Sequence, residues 1–235
     1  MNKWNKIWSK RSTDIILTDD AFDMFCKLKS ADGFDTQDIS GYYEAFLYEW
    51  ERMSDKILKQ TDGFSSIYEV GCGSGVNLYL FQKLKGISVI GGCDYSETLI
   101  EMANKVLKSD DILCEPADKM SENPVYDVVL SDSVFQYFES AEYGLKVLGH
   151  MWNKAGKMVV ITEIHDESMK NEHLAYRRSC VENYDEKYKN LDKTFYTKDM
   201  FIDFAKKVGA KCEIVKPQNE LYWNNKYVFD CYLSR

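Results

Sequence analysis

The 235-residue sequence predicts an α/β fold: a mostly parallel sheet with helices on both faces, a helical amino-terminal cap and an antiparallel carboxy-terminal hairpin. Three observations carry this expectation. From Ser66 onward, short near-continuous apolar runs alternate with stretches of helical period, the pattern of strands buried on both faces. One strand-to-helix junction is a glycine turn, Gly71-Cys72-Gly73-Ser74-Gly75. The last two apolar runs lie close together with no helix between them, so they pair as a hairpin at a sheet edge.

In chain order, Thr18 followed by Asp19 and Asp20 is the expected N-cap of a short amphipathic helix reaching Lys29. After a turn-prone stretch at 31–35, Phe46, Leu47, Trp50, Met53 and Ile57 recur at helical spacing and predict a longer helix over 42–58. The strand-like runs are Ile67–Val70, Ser88–Cys93, Asp111–Cys114, Tyr126–Ser131 and Lys157–Ile164. Helical stretches Val76–Leu84, Ser96–Leu107 and Ala141–Trp152 alternate with them. A charged, aromatic segment follows, then a helix opened by Thr197 and closed near Gly209, then the runs Lys211–Val215 and Tyr227–Leu233. With three prolines and no low-complexity tract, the chain is expected to be one domain: a cap (1–60), a core (61–165), an insertion (166–196) and a final helix with hairpin (197–235).

Composition narrows the function classes. Thirty basic against 38 acidic residues give a formal charge of −8, which argues against a nucleic-acid or anionic-membrane partner. Apolar runs such as Met158–Ile161 fall far short of the roughly 18 residues that cross a bilayer. The first residues lack the apolar stretch of a secretory signal, and seven cysteines without a CxxC pair suit reduced thiols, so a cytoplasmic protein is expected. The spacing of His165 and His173 offers no cysteine partner, and no metal site is expected.

The glycine turn is where the chemistry starts. Glycines let the backbone take positive φ and let a ligand approach closely. Glu69 stands just before the turn, and Asp94 closes the next strand, placed to accept hydrogen bonds from both hydroxyls of a ribose. The spacing is GxGxG rather than the GxGxxG of dinucleotide sites, and a carboxylate aimed at the turn repels a pyrophosphate but suits an ammonium group.

On these residues the chain resembles the class I S-adenosylmethionine-dependent methyltransferases, of the small-molecule (type 11/25-like) group, whose sheet is Rossmann-like. EVGCGSG (69–75) resembles the family's first motif, GCDYSETLIEMA (92–103) its second, YDVVLSDSVFQYF (126–138) the fourth-strand motif and AGKMVVITE (155–163) the following strand. The resemblance implies S-adenosylmethionine as cofactor and S-adenosylhomocysteine as product. It places Gly71, Gly73 and Gly75 under the methionine moiety with Glu69 near its ammonium. It assigns Asp94 to the ribose, Tyr95 and Glu115 to the adenine and Ser131 to the methionine side, with Glu-Pro standing where Asp-Ala is commoner.

Acceptor residues are expected beyond the fourth and fifth strands. His165, directly after strand five, is the first choice for a general base, with Asp166 to orient it or act alone. Tyr137, Tyr176, Arg177 and Arg178 are candidate acceptor contacts, able to clamp an anionic or carbohydrate group. Tyr42 or Tyr43 could meet the sulfonium, and Trp4 and Trp8 could close over the cofactor. Each of these has a structural alternative as a cap, packing or surface residue. The motifs of DNA amino- and cytosine-methylating enzymes are missing, which with the acidic charge leaves a small-molecule acceptor; a monomer or homodimer is expected. O-methylation of a sugar, nucleotide-linked intermediate or other metabolite is favoured over N-methylation of a small amine. An NAD-dependent oxidoreductase and a non-catalytic binding protein are the rival classes.

Overall fold

The computed structural model describes residues 4–8, 15–34 and 40–235. Its elements are α1 (Asn5–Trp8), α2 (Ala21–Lys29), a turn (Ser30–Phe34), α3 (Ser40–Thr61), β1 (Ser66–Val70), α4 (Val76–Lys85), β2 (Val89–Asp94), α5 (Glu97–Val106), β3 (Ile112–Cys114) and β4 (Tyr126–Asp132). There follow α6 (Ala141–Lys154), β5 (Ala155–His165), α7 (Lys170–Cys180), α8 (Tyr184–Lys187), α9 (Lys198–Val208), β6 (Lys211–Val215) and β7 (Val228–Ser234).

The seven strands form one sheet in the order β3-β2-β1-β4-β5-β7-β6. The first five are parallel, and β7 inserts antiparallel between β5 and β6, as the hairpin expectation required. The strand order reverses between β1 and β4, and the crevice beyond the carboxyl ends at such a reversal is where open α/β sheets bind ligands. Two apolar cores sandwich the sheet. Leu28, Trp50, Ile57 and Phe81 build the one under the amino-terminal helices, and Val147, Met151 and Phe201 build the other under α6 and α9.

Local chemistry sets the element ends. Gly86 and Gly209 close α4 and α9 in the left-handed conformation, with φ of 70° and 72°. Ser96 and Ser140 cap α5 and α6. The cap of α2 is Asp20, whose Oδ1 accepts from Asp23 N at 2.7 Å, rather than Thr18; the Thr18 hydroxyl instead accepts from Asp20 N at 3.3 Å. β5 starts two residues before the predicted run and ends one after it, because its flanking strands give its ends hydrogen-bond partners that hydropathy does not reveal. Cys72, Cys93 and Cys231 are buried, whereas Cys114 and Cys180 are exposed. Among the described residues no helix is long and apolar enough to cross a membrane.

One glycine in the sheet is required by close approach. A Cβ on Gly91 in β2 would stand 2.5 Å from Tyr126 Oη and 2.8 Å from Tyr68 Cδ2. Tyr126 cannot yield freely, because its hydroxyl donates to Asp111 Oδ2 at 2.6 Å. Gly91→Ala is therefore expected to destabilise the chain by about 1 to 3 kcal/mol, read from urea unfolding at constant m-value.

Candidate active site

A cavity of about 930 Å³ opens at the carboxyl ends of the strands, bounded by the glycine turn, the amino-terminal cap and the segment after β5. The turn is pinned to β2: Gly71 N and Cys72 N donate to Cys93 O at 2.7 and 3.0 Å, and Gly73 N donates to Asp94 Oδ2 at 3.1 Å. Gly71, Gly73 and Gly75 all have positive φ. A Cβ on Gly73 would lie 2.6 Å from Asp32 Oδ1, and one on Gly71 2.4 Å from Val134 Cγ2, so no side chain fits at either position.

Three buried polar atoms around this cavity have no partner among the described residues: Glu69 Oε2, Tyr95 Oη and Glu115 Oε1. Native interiors rarely leave such atoms unpaired, so the cavity calls for a polar ligand. Glu69 is 2% exposed and accepts from Asn77 Nδ2 at 2.6 Å through its other oxygen. Burial pushes its carboxyl well above the usual range, and Asp132 and Asp32 add to the shift. A cationic ligand group beside it would restore the charge. Asp94 accepts from Ser96 N at 2.8 Å as well as from Gly73 N, yet burial still pushes it up to about 6. Burial, with Asp111, also raises Glu115. This donor set fits S-adenosylmethionine: an acid for its ammonium, an acid at the tip of β2 for its ribose, and Tyr95 with Glu115 at the adenine end.

The amino-terminal cap contributes two residues that sequence reading missed. Asp32 accepts from Ser74 N at 2.8 Å and from Ser74 Oγ at 2.9 Å, clasping the glycine turn, and burial pushes it up to about 6. The Lys29 ammonium lies 3.9 Å from Asp132 Oδ2 and 4.4 Å over the Phe46 ring. An isolated acid in a turn-prone stretch gave no signal for this tertiary contact.

Glu163 is the third missed residue and lines the same cavity beside Ser133. The β5–β7 register shifts between Ile161 and Ile164, and within that bulge Glu163 takes φ 54°. A bulge re-aims a side chain, and this one turns Glu163 into the cavity. Its Oε2 accepts from Ser133 Oγ at 2.9 Å and Asn224 Nδ2 at 3.3 Å, and its backbone N donates to Asp230 Oδ1 at 3.0 Å. Burial, reinforced by Asp132, pushes the Glu163 carboxyl up to about 7. An acid near the end of an otherwise apolar strand was the available signal.

Other expected site residues lie elsewhere. His165 is fully buried, with both ring nitrogens unpartnered among the described residues, and packs against His173 (4.7 Å between ring centroids) and Phe195 (5.1 Å). It does not line the cavity, and burial holds its pKa well below the ordinary value, so the imidazole stays neutral. Asp166 caps a short turn, accepting from Ser168 N at 2.9 Å, and pairs with Lys198 at 2.7 Å. Ser131 Oγ donates to Val70 O at 3.0 Å inside the sheet, and Gly75 starts α4; neither lines the cavity. Tyr43 packs edge-on against Phe25, Tyr176 stacks on Trp223, and Arg178 pairs with Asp185, all off the cavity wall. The Tyr42 side chain lies outside the described residues. By contrast Trp4, Trp8, Tyr137 and Arg177 do line it, with Tyr137 edge-on to both tryptophans at 5.0 and 5.5 Å.

Comparison with known proteins agrees with this geometry. Residues 68–177 match the family model described as "Methyltransferase domain". The malonyl-[acyl-carrier protein] O-methyltransferase of Priestia megaterium is 28% identical over 127 residues, 51% of this chain and 46% of that protein. Its Bacillus cereus counterpart is 26% identical over 142 residues, 60% and 52% of the two chains, so this chain matches about half the length of these relatives. Two solved structures share the fold. The plantazolicin methyltransferase BpumL in complex with S-adenosylhomocysteine has a TM-score of 0.59 at 17% identity, covering 92% of this chain and 95% of its own. Streptomyces venezuelae DesVI has a TM-score of 0.61 at 14% identity, covering 94% and 99%. Motif order, sheet order and the matched domain together support a class I S-adenosylmethionine-dependent methyltransferase.

Proposed function

We propose that this chain transfers a methyl group from S-adenosylmethionine to an oxygen of a small-molecule acceptor, with Glu163 as the proton acceptor. One observation carries the reading: a single cavity joins Glu69, Asp94 and Glu115 on the cofactor side to Asp132, Ser133 and Glu163 on the other. The named activity of the two relatives, O-methylation, supports oxygen over nitrogen. When bound, the cofactor supplies an electrophilic methyl carbon on a sulfonium, so no enzyme nucleophile is required.

The protein's own work is positioning and proton transfer. Glu69 holds the ammonium, Asp94 the ribose hydroxyls, and Tyr95 with Glu115 the adenine end. Trp4, Trp8 and Tyr137 wall the cavity and exclude water, which strengthens every charge interaction inside. Glu163 takes the proton as the acceptor's O–H bond breaks, and the electron pair left on that oxygen forms the new bond to carbon while the carbon–sulfur bond breaks, its pair staying on sulfur so that S-adenosylhomocysteine leaves as a neutral thioether. A base poised near 7 suits this task, since it is largely ionised at working pH and still binds the proton. His165 takes no part in this scheme, because its ring packs against His173 and Phe195 and does not line the cavity.

Two outcomes test the reading. Asp94→Ala should weaken S-adenosylhomocysteine binding by about 1 to 3 kcal/mol in calorimetry, and unchanged affinity would remove Asp94 from the ribose. For the proton step, acceptors are first found by screening a metabolite library for S-adenosylhomocysteine release. Because the base must be ionised, kcat should rise with pH through about 7 and then level off. Glu163→Gln should lower kcat by roughly 10²- to 10⁴-fold and abolish that limb, with S-adenosylhomocysteine affinity little changed. A variant with normal turnover would exclude Glu163 from the chemistry.

A further inference from the structure

The acceptor side of the cavity holds positive charge that no ion pair among the described residues neutralises. The chain has a net charge of −8, and two of the cations close by are paired: Arg178 donates to both oxygens of Asp185 at 3.0 and 3.1 Å, and Lys198 meets Asp166 at 2.7 Å. Arg177 on α7 and Lys193 in the segment between α8 and α9 differ. Both line the cavity, and neither has a carboxylate within ion-pair reach among the described residues.

Aromatic rings hold both cations in place instead. The Arg177 guanidinium lies 5.3 Å from the Trp223 ring centre and 5.6 Å from those of Tyr184 and Tyr188, and its Nη2 donates to Tyr188 Oη at 3.3 Å. The Lys193 ammonium lies 5.1 Å over the Tyr137 ring. Rings orient a cation but leave its charge and most of its donors free. Burial pushes Lys193 down to about 8, with Arg177 adding to the effect and Glu163 opposing it, so the two cations act on each other through the cavity. Behind them, His165 and His173 are buried and held neutral, and add no charge to the wall.

We propose that Arg177 and Lys193 form an oxyanion subsite, so that the acceptor carries a carboxylate or phosphate group at the end away from its nucleophilic atom. A planar guanidinium fork beside a point-charge ammonium matches such a group, and both would be desolvated on binding, where charge-assisted hydrogen bonds are strongest. The proposal rests on reading this cavity as the methyl-transfer site, and it adds the chemical class of what enters.

Calorimetry with four ring compounds of similar size, phenyl phosphate, benzoate, benzamide and benzylamine, tests it on the full chain with and without saturating S-adenosylhomocysteine. The two oxyanions should bind at least about tenfold more tightly than the neutral amide and the amine, and their affinity should fall with added sodium chloride. Their relative affinities distinguish phosphate from carboxylate. Arg177→Met and Lys193→Met should each weaken oxyanion binding by about tenfold or more, Arg177→Lys and Lys193→Arg should lose less, and S-adenosylhomocysteine affinity should hold in all four. Equal binding of benzamide or benzylamine, no saturable binding of either oxyanion, or Met variants that bind oxyanions like the parent would each overturn the subsite. Loss of S-adenosylhomocysteine binding in the parent with oxyanion binding intact would instead overturn the methyl-transfer reading and leave the subsite standing.

Discussion

Everything at the active end of this molecule depends on one constraint: a parallel sheet delivers carboxylates to a place where water is scarce. Glu69 in β1, Asp94 at the end of β2, Asp132 at the end of β4 and Glu163 near the end of β5 all face one cavity because their strands run the same way. Two unit charges about 4 Å apart repel by about 4 kcal/mol at the effective dielectric of such sites. Desolvation adds to this, and Glu69, Asp94 and Glu163 respond by holding their protons more tightly.

The surrounding structure works against that repulsion without cancelling it. Asn77 donates to both Glu69 and Asp132, and Thr162 Oγ1 donates to Asp132 Oδ1 at 2.6 Å. Gly73 and Ser96 supply backbone donors to Asp94, while Lys29 approaches from the cap. The bulge in β5 belongs to the same set of responses. A left-handed φ at a non-glycine residue costs on the order of 1 kcal/mol or more. That strain persists because Asp230 accepts the Glu163 N–H and Ser133 and Asn224 hold its carboxylate. What stays uncompensated is Glu69 Oε2, the atom a cationic ligand would meet.

The sheet and the glycine turn with its two flanking acids were legible in the sequence because they are written in short-range chemistry, whereas Gly75, Ser131 and Tyr43, also expected at the cofactor, lie off the cavity wall. Alternation of apolar runs with helical periods gives strand and helix order, and a glycine turn flanked by Glu69 and Asp94 needs only its own spacing to be read. The hairpin edge followed from the missing helix between β6 and β7. The acceptor side was not legible, since its residues meet only through tertiary packing. Asp32 and Lys29 reach the glycine turn and Asp132 from a helix and turn some forty and a hundred residues earlier in the chain. Glu163 depends on a bulge that hydropathy cannot locate, and His165, two residues beyond it, would share its face by simple strand alternation but, past that bulge, packs into an aromatic core instead. Helix periodicity separates the three candidate acceptor contacts on α7: Arg177 faces the cavity while its neighbours Tyr176 and Arg178 face Trp223 and Asp185.

The distribution of charge inside the cavity then has a directional consequence. Carboxylates crowd the sheet end and the unpaired cations stand on the wall formed after β5, with Lys193 feeling both Arg177 and Glu163. A molecule entering this field is oriented before any close contact forms, because reversing it would set an anionic group against Asp132 and Glu163 and leave Arg177 and Lys193 desolvated without a partner. Either penalty amounts to several kcal/mol in a site shielded from water. Methyl transfer needs its nucleophile held in line behind the carbon, and orientation of this kind supplies a large part of that requirement through the fold's own fixed charges. In the proposed reaction, the acidic sheet end that the parallel topology imposes and the cationic wall added by the inserted segment therefore act as two halves of one device for aligning an acceptor.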